Sequence, residues 1–177
     1  MQLISCKIFS MSNQERATRP RKTKAVAAAV PIPSDQHAAW YQLLRAHGKL
    51  LHGVETRLHS DGQIPHHWYD VLVTLEKAPG QRLRLSELAE HVVTSRSNLT
   101  RLVDRLETEG FLRREACPDD RRGSYAVLTE AGAQARLAAW PTVSKAIVEL
   151  FATYVSNEEA IVITQTLQRV ADASDGT

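Results

Sequence analysis

The chain has 177 residues, 43% apolar and 24% charged, with Lys+Arg 22 against Asp+Glu 20. That is enough for one domain with a sizeable core, and it excludes an acidic disordered chain. A formal charge of +2 makes no global case for nucleic-acid binding, and no apolar run approaches the ~20 residues of a membrane-spanning helix.

Leu3-Ile4-Ser5-Cys6 has the look of a lipoprotein cleavage box, but no charged segment and apolar core precede it, so no export signal is expected. Cys6 and Cys117 form neither a disulfide framework nor a Cys-x-x-Cys pair, and a reducing, cytoplasmic setting is expected. The charge is unevenly spread. Residues 1–33 carry six basic groups and one acid, whereas residues 34–177 carry 16 basic and 19 acidic groups. With Pro20, Pro31 and Pro33 and little apolar periodicity, residues 1–33 read as a flexible basic tail, either a solvated leader or an arm touching DNA phosphates. Met11, followed by Ser12-Asn13-Gln14, is an alternative start.

Ser34 is placed to cap a helix to about His59, with Trp40, Leu43, Leu44, His47, Leu50, Leu51, Val54 and Leu58 recurring at three and four. Ser60-Asp61-Gly62 breaks it. Pro65 opens a second helix with Trp68, Val71, Leu72 and Leu75 on one face, and Ala78-Pro79-Gly80 ends it. Leu85, Leu88, Ala89 and Val92 make a short helix face. Ser95 is a good N-cap for a helix from Arg96 to Glu109, apolar at Leu99, Leu102, Val103 and Leu106, and Gly110 suits the left-handed stop.

Phe111–Ala116 and Ser124–Leu128 read as a hairpin around a polar tip at residues 118–123. Thr129 is placed to cap a helix through Leu137, Trp140, Val143, Ile147 and Leu150, which Pro141 should kink or divide. Ser156 and Glu159 form a capping box for a last helix to about Asp172. The fold expected is mainly α with a small β-wing: a winged helix-turn-helix.

In that layout the second helix of the motif enters the major groove. Ser95, Arg96, Ser97, Asn98, Thr100, Arg101 and Arg105 are then candidate DNA contacts, since Arg can read guanine and Asn adenine with paired hydrogen bonds. Arg121, Arg122 and Gly123 at the hairpin tip suit a narrow minor groove. Between residues 82 and 122 all nine basic residues are Arg, but eight acids accompany them, so a salt-bridged solvated surface is the competing reading. No nucleophile constellation or phosphate-binding loop points to an enzyme. His66-His67 point apart on a helix and no His-x-x-x-His pair occurs, so neither metal nor cofactor is expected.

Five pieces in order carry a family resemblance: Leu85-Ser86-Glu87-Leu88-Ala89; the run from Ser95 to Glu107; Glu109-Gly110-Phe111-Leu112-Arg113-Arg114; Asp119-Asp120-Arg121-Arg122; and Leu128-Thr129-Glu130-Ala131-Gly132. Together they resemble the MarR family of winged-helix transcriptional regulators. The resemblance implies a DNA-reading part at about 80–130 within a domain at 34–172, dimerisation helices at about 34–59 and 130–172, and a tail at 173–177. It implies an obligate homodimer on pseudo-palindromic double-stranded DNA, usually a repressor, releasing DNA to a small aromatic or phenolic effector or to an oxidant. The family's pocket lies between the dimerisation helices and the winged domain, where Trp40, His47, His59, Trp68 and Tyr69 are candidate lining residues. Peroxide-sensing members carry a Cys in the first long helix, and residues 35–59 have none. Cys117 stands near four Arg in sequence, either as a redox-active thiolate or as a surface or edge-strand thiol. The alternative from another class is a DNA-binding or protein-interaction module without ligand response. Two positions depart from the family's pattern: Val93-Thr94 replaces the usual Gly and apolar residue before the recognition helix, and Arg84 replaces a Ser or Thr.

Overall fold

The structure, a computed structural model, describes residues 30–92, 96–117 and 120–174, with the side chains of Arg96, Ser97, Asp120, Arg121 and Arg122 excepted. Six helices and three strands follow in the order α1 (Ser34–Ser60), α2 (His66–Lys77), β1 (Arg82–Arg84), α3 (Leu85–His91), α4 (Arg96–Thr108), β2 (Leu112–Cys117), β3 (Asp120–Leu128), α5 (Glu130–Leu150) and α6 (Asn157–Ser174). The basic tail lies outside the described residues up to residue 29, as do the Val93-Thr94 turn, Ser95 and residues 175–177. Ala173 and Ser174, assigned to a tail from the sequence, continue α6.

The winged domain closes around one core. Leu72 and Leu75 of α2, Leu88 of α3, Leu106 of α4 and Leu112 of β2 are fully buried there. Each such leucine contributes about 1.5–3 kcal/mol relative to exposure, so this cluster holds the motif's helices in place. Gly110 takes φ 75° and stops α4, as its lack of Cβ permits, and the Phe111 amide then donates to the Leu106 carbonyl at 2.8 Å. A second, smaller cluster joins Leu58 of α1 and Tyr69 of α2 to Ala139 and Val143 of α5.

The sheet has the order β1-β3-β2, antiparallel throughout. Two corrections to the sequence reading fall here. The strand at residues 82–84 was not expected, and β3 starts at Asp120 rather than Ser124, pairing with Cys117 across the hairpin. A ladder is built from backbone groups, so it runs on through polar residues that carry no alternating apolar signal. Pro141 does not divide α5. The carbonyl four residues before it belongs to exposed Leu137, so water can satisfy it where the proline has no N–H to donate.

α5 begins where the wing ends. The Thr129 hydroxyl accepts from the Gly132 amide (3.1 Å) and donates to the Gly110 carbonyl (2.7 Å), while the Thr129 amide donates to the Phe111 carbonyl at 3.2 Å. This knot ties the end of α4 to the start of α5. Gly132 is required by it, because a Cβ there would lie 2.0 Å from the Phe111 oxygen. The Ser156–Glu159 capping box forms as the sequence predicts, through bonds of 2.9 and 3.2 Å. α6 buries no residue, and Ile161, Val162, Leu167 and Val170 stand exposed along it.

Candidate nucleic-acid interface

α4 buries Leu99, Leu102, Val103 and Leu106 and turns its remaining faces outward. Helical spacing places Asn98, Arg101 and Arg105 in one exposed stripe, and Thr100, Asp104 and Glu107 along the other edge. The two edges differ in charge compensation. Arg114, reaching across from β2, bonds Asp104 at 2.6 Å and also Glu107, whose second oxygen takes the Arg114 amide at 3.0 Å. Burial works against the Arg114 charge, but its bonds to Asp104 and Glu107 outweigh that and hold the guanidinium above its ordinary range. Arg101 and Arg105 have no carboxylate within salt-bridge distance among the described residues.

The competing reading, a salt-bridged surface, therefore describes Arg113 and Arg114, with Arg82 only at the edge of salt-bridge distance, and among the described residues it does not extend to Arg101 and Arg105. The acids late on α4 are neutralised from behind, which leaves its cationic stripe facing solvent. Asn98, Thr100, Arg101 and Arg105 all lie on the exposed part of α4, and Gly123 is half-buried in β3. Arg96 opens the helix with Ser97 next to it, and Arg121 and Arg122 sit in β3 just after the tip. Arg84, standing where a capping Ser or Thr was expected, leaves its N-cap role to Glu87, whose carboxylate accepts the Arg84 amide at 2.9 Å.

The ligand candidates separate. Trp68 belongs to the winged core, packed edge-on against Phe111 with ring centroids 5.9 Å apart. Trp40, His47 and His59 are exposed on α1. Tyr69 is the one of the five that lines the cleft between α1, α2 and α5, about 520 Å³, together with Val73, Glu76, Arg136, Trp140 and Ile147. Arg136 and Trp140 were missed from the sequence because α5 reaches this cleft only through tertiary packing. Arg136 pairs with Glu76, yet its Nε is buried without a hydrogen-bond partner among the described residues. Burial pushes the Tyr69 phenol above its ordinary value, so it stays a neutral donor. Cys117 lies on edge strand β2, in agreement with the edge-strand alternative, and its side chain is buried and not at the surface. Among the described residues no group of His, Cys, Asp and Glu could hold a metal ion, and no helix is long and apolar enough to cross a membrane.

Residues 65–124 match the MarR family. The chain is 31% identical to the HTH-type transcriptional regulator PrsX of Escherichia coli over 118 residues, 67% of this chain and 68% of that one. Among solved structures it resembles Sco3205 of Streptomyces coelicolor, a MarR family transcriptional regulator in complex with DNA, at 29% identity and a TM-score of 0.72, over 84% of this chain and 92% of that one. AbsC from the same organism, also a MarR family regulator, matches at 29% identity and 0.72, over 84% and 100%.

Proposed function

This chain belongs to the MarR family of transcriptional regulators, and from that premise we propose that it binds a pseudo-palindromic operator as a homodimer and represses transcription there. The observation that carries the reading is the exposed stripe of Asn98, Arg101 and Arg105 on α4, whose two arginines meet no carboxylate among the described residues, set apart from acids that Arg114 neutralises. In this reading residues at about 80–130 read the DNA: Ser95, Arg96, Ser97, Asn98, Thr100, Arg101 and Arg105 from the recognition helix, and Arg121, Arg122 and Gly123 from the wing. The helices at about 34–59 and 130–172 make the dimer. Support for that half comes from exposed apolar side chains on all three, among them Trp40 and Leu44 of α1, Val148 of α5 and Val162 of α6. Among the described residues nothing covers these side chains, and a symmetric partner would.

The effector reading rests on the cleft beneath α1. Tyr69 and Trp140 give it aromatic walls, and the Arg136 guanidinium gives it an incompletely bonded cation. A small aromatic or phenolic compound fits that chemistry, and its binding would shift α5 against α2 and so move the recognition helices apart. The test is selection of a binding site from random duplexes, followed by sedimentation of the complex. Two protomers on a site with two-fold symmetry is the expected result. One protomer on an asymmetric site, or no enriched sequence, would overturn the reading.

A further inference from the structure

We propose that the outer face of the three-stranded sheet is a second contact surface for duplex DNA, engaging phosphates that flank the half-site read by α4. It rests on the DNA-binding reading above and extends it to a surface which the recognition helix and the wing tip do not use.

The register assembles this face. Arg82 stands opposite Val127 and Arg113, and Arg84 opposite Tyr125 and Glu115, so the alternation of a strand puts all six on one side. Leu83, Ala126 and Leu112 point to the other side, into the core that holds α3 and α4. Arg114 also points that way, to Asp104 of α4. The outer face therefore lies on the opposite side of the sheet from α4 and is separate from the surface that α4 would bring to a groove.

Among the described residues three guanidinium groups meet one carboxylate there. Glu115 serves Arg113 at 2.7 Å and reaches Arg82 only at 3.9 Å, which leaves the face at a net charge of about +2. The Tyr125 ring holds two of the cations. The Arg82 guanidinium carbon lies 4.9 Å and that of Arg84 5.7 Å from its centroid. Stacking on an aromatic face orders a guanidinium without neutralising it, so its planar fork stays available for an oxyanion. Two like charges on one ring repel each other, and an anion between them relieves that repulsion.

Phosphate fits better than a protein surface. Protein interfaces centre on apolar anchors, whereas here Val127 is buried and the Tyr125 ring lies under the Arg82 and Arg84 guanidinium groups. Arg82 and Arg113 lie two strand spacings apart, about 10 Å. One DNA strand carries a charge about every 3.4 Å along the helix axis, so a face of this width is wide enough to meet more than one phosphate.

The experiment uses the full-length protein and its selected site, either blunt or extended on each side by about ten base pairs, one helical turn. Wild type is expected to gain several-fold in affinity from the flanks. Arg82→Gln with Arg113→Gln should abolish that gain and lower the salt slope on flanked DNA by about 0.9 per lost phosphate contact, leaving affinity for the blunt site unchanged. Glu115→Gln should enlarge the gain, and it provides the test should the double variant not fold. A thermal melt equal to wild type establishes that the double variant is folded. A wild-type flank gain retained in the folded double variant, no flank gain in wild type, or no change in Glu115→Gln would overturn the proposal. Failure of wild type to prefer its selected site over scrambled DNA would instead overturn the reading on which it rests, which separates the two outcomes.

Discussion

Replacing Gly132 by alanine should destabilise the protein, while the same replacement at Gly48 should stabilise it. At Gly132 the new Cβ would sit 2.0 Å from the Phe111 carbonyl oxygen, 2.9 Å from its carbon and 3.0 Å from a Leu128 methyl. Ordinary contact begins about 1.4 Å farther out, and the obstacle is backbone, so α5 or the wing must move. Overpacking of this kind costs about 1–3 kcal/mol. The same Phe111 oxygen accepts the Thr129 amide, and disturbing that bond adds about 0.5–1.5 kcal/mol. The sum, about 1.5–4.5 kcal/mol, lowers the melting temperature by about 3–18 °C in a chain of this size. Gly48 has nothing within 4 Å of its Cβ position and lies in the interior of α1, where alanine is favoured over glycine by about 0.5–1 kcal/mol. Urea unfolding of both variants at one protomer concentration is the assay, since the proposed dimer would make stability concentration-dependent. A Gly132→Ala variant within about 0.5 kcal/mol of wild type would refute the close approach of α5 to the wing.

Three further predictions concern separate elements. Thr129→Val should cost about 1–2 kcal/mol, because it removes the cap on Gly132 and the partner of the Gly110 carbonyl, and Thr129→Ser should recover most of it in the same unfolding assay. Arg121→Gln with Arg122→Gln should flatten the salt dependence of binding by about one to two units of slope per protomer, with base preferences unchanged; a shifted base preference would show that the wing reads sequence. Sedimentation should find a dimer at micromolar concentration, and Trp40→Glu with Val162→Glu should shift it to monomer, since charges would then stand on faces the partner has to bury.

Most of the helical framework was legible because its punctuation is chemical and local. Gly110 at the end of α4, the Ser156–Glu159 box and the Thr129 cap each satisfy backbone groups within three or four residues, so short sequence windows carry them. What was not legible depends on residues distant in sequence. β1 is three residues long and exists by pairing with β3 more than forty positions later. Trp68 has the composition of a pocket aromatic, but its environment is set by Phe111. The charge logic of α4 was half visible: the order of basic and acidic residues could be read, while the neutralisation of Asp104 and Glu107 by Arg114 required knowing that β2 folds back against the helix. Arg136 carried no signal, since its partner Glu76 is sixty residues away.

The claim that α4 reads bases is tested most directly by Asn98→Ala and Arg101→Ala, each titrated with salt on the selected palindrome and on a scrambled duplex. The account predicts a loss of about 1–3 kcal/mol on the palindrome and relaxed preference at particular positions, with a much smaller loss on scrambled DNA. Equal losses on both duplexes for both variants would contradict it, because the stripe would then contribute charge and no base recognition.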